Sequence, residues 1–235
     1  MMPIAPLKAQ QSDQQTPRLL VIACGALARE LLVITRLHGF AEVTLECLPA
    51  GLHNHPTEIP GAVDERLTAA QGNFDHVLVG YADCGTGGLL DDVCRRHGAT
   101  RLPGAHCYEF FTGHDAFTEL HDADPTTFYL TDYLAKHFDR IILDGLGITA
   151  HPELLGMYFT NYRNLIHLSQ TDDPKIEELA AAAAERLGLN FEIRRTGYGE
   201  LQTSVVEFVS LSRRRIDPRS VAEPTTIEQI RETTS

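Results

Sequence analysis

Cysteine and glycine meet in this 235-residue chain at points where apolar runs stop. Three such stops read Leu19-Leu20-Val21-Ile22-Ala23-Cys24-Gly25, Val77-Leu78-Val79-Gly80-Tyr81-Ala82-Asp83-Cys84-Gly85 and Ile141-Ile142-Leu143-Asp144-Gly145. A glycine just past a strand lets the backbone turn sharply and leaves N–H groups open to a ligand. Cys24 and Cys84 sit in these turns, and Cys107 follows a further short strand. Thiolates are natural ligands for zinc or an iron–sulfur cluster, and His53, His55 or His106 would complete the shell. The chain contains no Cys-X-X-Cys, so neither a zinc knuckle nor ferredoxin ligation is read from spacing. The competing reading makes each cysteine a small apolar residue packed in a turn. Cys94, on a helix face, and Cys47, within a strand, read as core.

Two loops add groups able to move protons. Leu52-His53-Asn54-His55-Pro56 lies among Pro49, Gly51 and Pro60, so its histidines are not forced into a core. His106 and Glu109 flank Cys107 and form a candidate acid/base pair beside the metal; the plainer reading is a solvated loop. His38, His97 and His137 fall at helix ends, where a charge favoured by the helix dipole explains them. Asp83-Cys84-Gly85-Thr86-Gly87-Gly88 follows a strand and opens a helix. It resembles the Asp-X-Gly-X-Gly loop of class I S-adenosylmethionine-dependent methyltransferases, which implies cofactor contacts at Asp83, Gly85, Thr86 and Gly87. Such enzymes expect a carboxylate at the end of the next strand. None occurs here before Glu109. Under the metal reading, Gly85, Thr86 and Gly87 would instead contact an anionic part of a substrate, and Gly25 is a further candidate cofactor-binding position. No Gly-X-Ser-X-Gly elbow, Walker loop or full dinucleotide fingerprint is present.

The elements that must position these groups alternate between strand and helix. One unit runs from strand 19–23 through helix Ala26–Leu37 to strand Val43–Leu48. A second runs from Val77–Ala82 through Gly88–Arg96 to a short strand near Thr100–Leu102. Both helices stop at His-Gly, as expected for helix C-termini. A third is expected from strand Ile141–Leu143 through helix Pro152–Tyr162 to strand Asn164–Leu168, followed by helix Ile176–Leu187 and strand Phe191–Arg195. A further helix is expected near Thr131–Phe138. Apolar strands without period-two alternation, separated by helices, mean parallel strands covered by helices. The fold class is α/β: three related, Rossmann-like βα units (18–75, 76–139 and 140–211), pseudo-threefold around a shared site. A single doubly wound sheet is the alternative. Residues 1–17 read as a disordered lead-in and 212–235 as a loose tail, with a short helix at Thr225–Glu232.

Composition narrows the partners. With 32 acidic and 20 basic residues the chain carries a net charge of −12, which argues against nucleic acid or an anionic membrane. No apolar run approaches the ~18 residues of a membrane span. The N-terminus has no apolar signal core, and the expected location is the cytoplasm. There five cysteines, an odd number, read as thiols or ligands rather than a disulfide framework.

Four stretches together look like one family. They are Gly80–Leu90, Leu102–Phe111, Thr127–Asp132 and His151-Pro152-Glu153-Leu154, and the likeness runs from Arg18 to Phe208. The chain thus resembles the bacterial and archaeal domain-of-unknown-function family 1638, a name that carries no activity. The resemblance implies a context of corrinoid-dependent, methylamine-type one-carbon metabolism, and so a corrinoid-pathway protein as partner. At fold level only, three βα units offering cysteines to one centre look like quinolinate synthase. This chain has no cysteine at its Asp144-Gly145 turn, and Cys107 would have to substitute. The expectation is a metal-dependent enzyme of lyase or transferase type, acting on a small anionic metabolite. Cys24, Cys84 and Cys107 would hold the metal, and His53, His106 and Glu109 would serve as catalytic groups. A methyltransferase, or a non-catalytic metal or corrinoid carrier, are the alternatives.

Overall fold

The computed structural model describes residues 16–216. Strands β1 (Leu19–Cys24), β2 (Val43–Leu48), β3 (His76–Gly80) and β4 (Thr100–Arg101) form one sheet in the order β2-β1-β3-β4. Strands β5 (Thr127–Thr131), β6 (Asn164–Ser169) and β7 (Asn190–Arg195) form a second in the order β5-β6-β7. Every strand pairing in both is parallel. The helices are α1 (Ala28–Leu37), α2 (Ile59–Ala70), α3 (Leu89–His97), α4 (Glu109–Thr112), α5 (His114–Ala123), α6 (Asp132–Lys136), α7 (Leu154–Phe159), α8 (Pro174–Leu187) and α9 (Gly199–Ile216). The α/β class with parallel strands is as the sequence implied. Among the described residues no helix is long and apolar enough to cross a membrane.

Strand burial follows position in the sheet. All six residues of β1 are buried, because helices cover both faces of a central parallel strand. Edge strand β7 exposes most of its residues. In α3, Asp91 and Asp92 occupy the first turn and Arg95, Arg96 and His97 the last, matching the helix dipole at both ends. Asp173 caps α8 by accepting from the Lys175 N–H at 3.1 Å, Pro174 opens that helix, and Gly188 closes it in the left-handed region. Between β5 and β6 the buried Asp132 accepts from His167 Nε2 at 3.0 Å, the Gln170 N–H at 3.1 Å and Thr171 Oγ1 at 2.5 Å. Burial alone would raise this carboxyl, but those hydrogen bonds outweigh it and hold it below its ordinary value.

Three expectations are corrected. Ile141–Leu143 is not a strand; residues Asp139–Asp144 form a π-helical segment after α6. The buried positions Leu134, Ala135, Phe138, Ile141 and Ile142 recur at helical spacing, so one side of a continuing helix takes the apolar run. The expected third unit therefore lacks its first strand, and β5 takes the place beside β6. The chain does not loosen at 212 either. Helix α9 runs through Ser212 to Ile216, burying Leu201, Val205, Phe208 and Val209 one turn apart. Within it Arg213 donates to Glu42 at 2.6 Å and lies over the Phe40 ring. Finally, Cys47 is exposed rather than core, since β2 is an edge strand. The helix expected at Thr225–Glu232 lies outside the described residues.

Candidate functional site

The carboxyl ends of β1, β3 and β5 meet at a cavity of about 200 Å³ between the two sheets. This is where parallel α/β folds place ligands, because the turns leaving the strands gather there. Cys24 is the last residue of β1, and its neighbour Gly25 lies so close to β2 that a Cβ would stand 2.8 Å from the Leu48 carbonyl oxygen. Asp83 and Cys84 donate their N–H groups to the carbonyls of Gly104 and Ala105, at 3.0 and 2.8 Å. The loop after β3 is thus stitched to the loop after β4. Cys84 has φ +50°, the one non-glycine residue with positive φ among the described residues. An L side chain is uncommon there, and such strain gathers at functional positions.

This stitching brings the Cys84 and Cys107 sulfurs to 3.1 Å. The two sulfurs are hydrogen-bonded to each other. The Cys107 S–H hydrogen bond draws Cys84 below the ordinary thiol value, and the same bond together with burial holds Cys107 well above it. Cys24 lines the same cavity, and burial pushes its thiol up to about 11. Tyr81 also lines the cavity, and its buried hydroxyl lies beside the Cys24 thiol. Burial raises its phenol, so it stands there as a neutral donor. Sequence reasoning missed Tyr81, since a tyrosine ending an apolar run reads as core.

His53 and His106 both line the cavity while keeping part of their surface in solvent. Desolvation by the surrounding protein lowers each below the ordinary imidazole value, and for His53 the charge of His106 adds to it. His106 also stacks on Tyr108. Glu109 does not line the cavity. Its buried carboxylate accepts from the N–H groups of Ala105 and His106, at 3.2 and 2.9 Å, and so fixes the loop that carries Cys107. Asp83 likewise serves its own loop, accepting from Thr86 Oγ1 at 2.8 Å and from the N–H groups of Gly87 and Gly88 at 3.2 and 2.9 Å. The amide groups of Gly87 and Gly88 therefore face a carboxylate. Gly85 lines the cavity; Thr86 and Gly87 do not.

The structure thus gathers Cys24, Cys84, Cys107, His53 and His106 around one space. It leaves Glu109, Asp83, Thr86 and Gly87 in supporting loops. Among the described residues no three His, Cys, Asp or Glu side chains are arranged as a ready metal shell.

The model of a family described as a protein of unknown function, DUF1638, matches residues 47–205. The matched segment includes Cys84 and Cys107, while Cys24 precedes it. No curated protein and no solved structure, quinolinate synthase included, matches the chain.

Proposed function

The chain belongs to the DUF1638 family, and we propose that it is a thiolate-metal enzyme acting on a small anionic metabolite at the cavity between its sheets. The observation that carries this reading is the delivery of Cys24, Cys84 and Cys107 by three separate loops to one largely apolar space. Cys84, Cys107 and Cys24 would hold zinc or an iron–sulfur cluster, with His53 or His106 as the remaining ligand or as acid/base. Three thiols and two imidazoles suit such an ion by donor type. Spacing makes a further demand. Two thiolates on one tetrahedral zinc stand ~3.8 Å apart, given Zn–S bonds of about 2.3 Å. At 3.1 Å the present pair is a hydrogen-bonded dithiol, and loading would part the sulfurs and release both of their protons.

The bound group would supply Lewis acidity at a substrate oxygen. The chain's own residues do the rest. His53 and His106, held neutral near pH 7, can accept a proton from the substrate or from a leaving thiol. The Tyr81 hydroxyl, buried beside the Cys24 thiol, would support that sulfur from behind the cavity wall. Leu27, Ile59, Phe111 and Leu134 exclude water. Under the S-adenosylmethionine alternative, Asp83 would have to reach the cofactor while its carboxylate holds its own loop.

The test is metal and sulfide content after anaerobic purification and reconstitution, for the wild type, Cys84→Ser, Cys107→Ser and, as a folding control, Cys94→Ser. The expected result is about four irons with broad visible absorption, or about one colourless zinc. Both should be lost from the first two variants and kept by the third. No metal in the wild type, or equal metal in all four proteins, overturns the reading. Metal without turnover of any small anion would make the protein a carrier.

A further inference from the structure

Beside the thiol cavity lies a second, open groove that shares Ala50, Tyr133 and Ile141 with it. Its wall includes Cys47, His55 and Arg140, and no aspartate or glutamate. In a chain of net charge −12 this wall thus carries a guanidinium and no carboxylate. Arg140 is exposed, and its guanidinium donates to the Tyr133 hydroxyl at 3.1 Å. The neighbouring carboxylates have other partners: Asp139 pairs with Arg186, and Asp144 accepts from Thr149 Oγ1 at 2.5 Å. The guanidinium is thus oriented by a neutral group and keeps donors and charge for an anion. Arginine's planar fork matches a carboxylate or phosphate in two-point contact.

We propose that this groove receives the anionic end, a carboxylate or phosphate, of the metabolite whose other end enters the thiol cavity, with Arg140 as its receptor. The proposal rests on the small-anion reading above and adds the place and the residue that select the anion. Tyr133, common to both spaces, is the positioning residue that aims the guanidinium.

Cys47 offers a readout, because its exposed thiol lines the groove. Its thiolate displaces iodide from iodoacetate, an anion, or from iodoacetamide, a neutral analogue; an S–C bond forms as the C–I bond breaks. Labelling rates at the Cys47 peptide are measured by mass spectrometry on the full chain. The expected iodoacetate-to-iodoacetamide ratio falls about fivefold in Arg140→Gln, the factor a charge contact of this kind gives near water, and is largely kept in Arg140→Lys. Inorganic phosphate or glutarate should slow Cys47 labelling in the wild type, and the one effective at lower concentration identifies the anion class. An unchanged ratio in Arg140→Gln, or no slowing by either anion, overturns the proposal. Metal-free wild type that keeps the ratio loses the metal reading alone; metal-loaded protein with an unchanged ratio loses the anion groove alone.

Discussion

Cys84 joins a left-handed backbone to a thiol that ionises more readily than usual. The first property aims the sulfur at Cys107, and the second follows from the S–H bond it then accepts. Replacing Cys107 by Ala removes that donor, so the Cys84 thiolate loses its support while its burial remains. The midpoint of the Cys84 alkylation rate against pH should therefore move upward, slowing the reaction at pH 7 several-fold and leaving the alkaline plateau alone. A midpoint that stays put or falls would mean that Cys107 does not set this thiol. At this scale the sequence was legible wherever a chemical residue type coincided with a turn, which is why Cys24, Cys84, Cys107, His53 and His106 could be named. It was silent on Tyr81 and Arg140. One ends an apolar run, and the other abuts the run that reads as a strand. For Glu109 the sequence shows a carboxylate next to a candidate ligand but not the backbone N–H groups that its side chain holds.

The π-helical segment Asp139–Asp144 is the element on which both spaces depend, since Ile141 lines each. It is pinned to the loop after β2 by Asn54, whose side-chain amide donates to the Ile141 carbonyl at 2.8 Å. Gly145 makes that approach feasible: a Cβ there would stand 2.1 Å from Asn54 Nδ2 and 2.2 Å from the Ile141 oxygen. Gly145→Ala should lower stability by roughly 1–3 kcal/mol, as overpacking does. Gly61→Ala, inside α2 with nothing within 4 Å of the added carbon, should raise it by roughly 0.5–1 kcal/mol. Urea midpoints of the two variants check both signs, and a Gly145→Ala protein as stable as wild type would show that the segment is free to shift. Parallel strands and capped helices such as β1 and α8 could be read from sequence because their signals are local. The π-helical segment could not, since an Ile-Ile-Leu run has no periodicity of its own and only its burial beside α6 decides its form. Helix α9 was missed for a related reason: the arginines at its end suggest a tail until Glu42 and Phe40 are found beneath Arg213.

Across the whole molecule, His53, His76, His106 and His137 are each held below the ordinary imidazole value, chiefly by desolvation. A depressed folded value means that the unfolded chain takes up protons first as the solution is acidified. Stability is thus complete above about pH 6.5 and declines as pH falls below it. Urea midpoints taken from pH 8 to pH 5 should show this decline, and His53→Gln combined with His106→Gln should make it shallower. A decline unchanged in that double variant would assign the effect to other groups. The cavity itself belongs to the whole chain, because its thiols come from the first sheet's half and Thr131, Leu134 and Ile141 from the second. That division has a consequence for biosynthesis. All three thiols leave the ribosome before the wall that covers them has been made, and at ~5–20 residues per second the stretch from Cys107 to Ile141 takes a few seconds to emerge. During that interval the nascent chain presents its three thiols to the surrounding solution, and the order of translation becomes a timetable for what reaches them first.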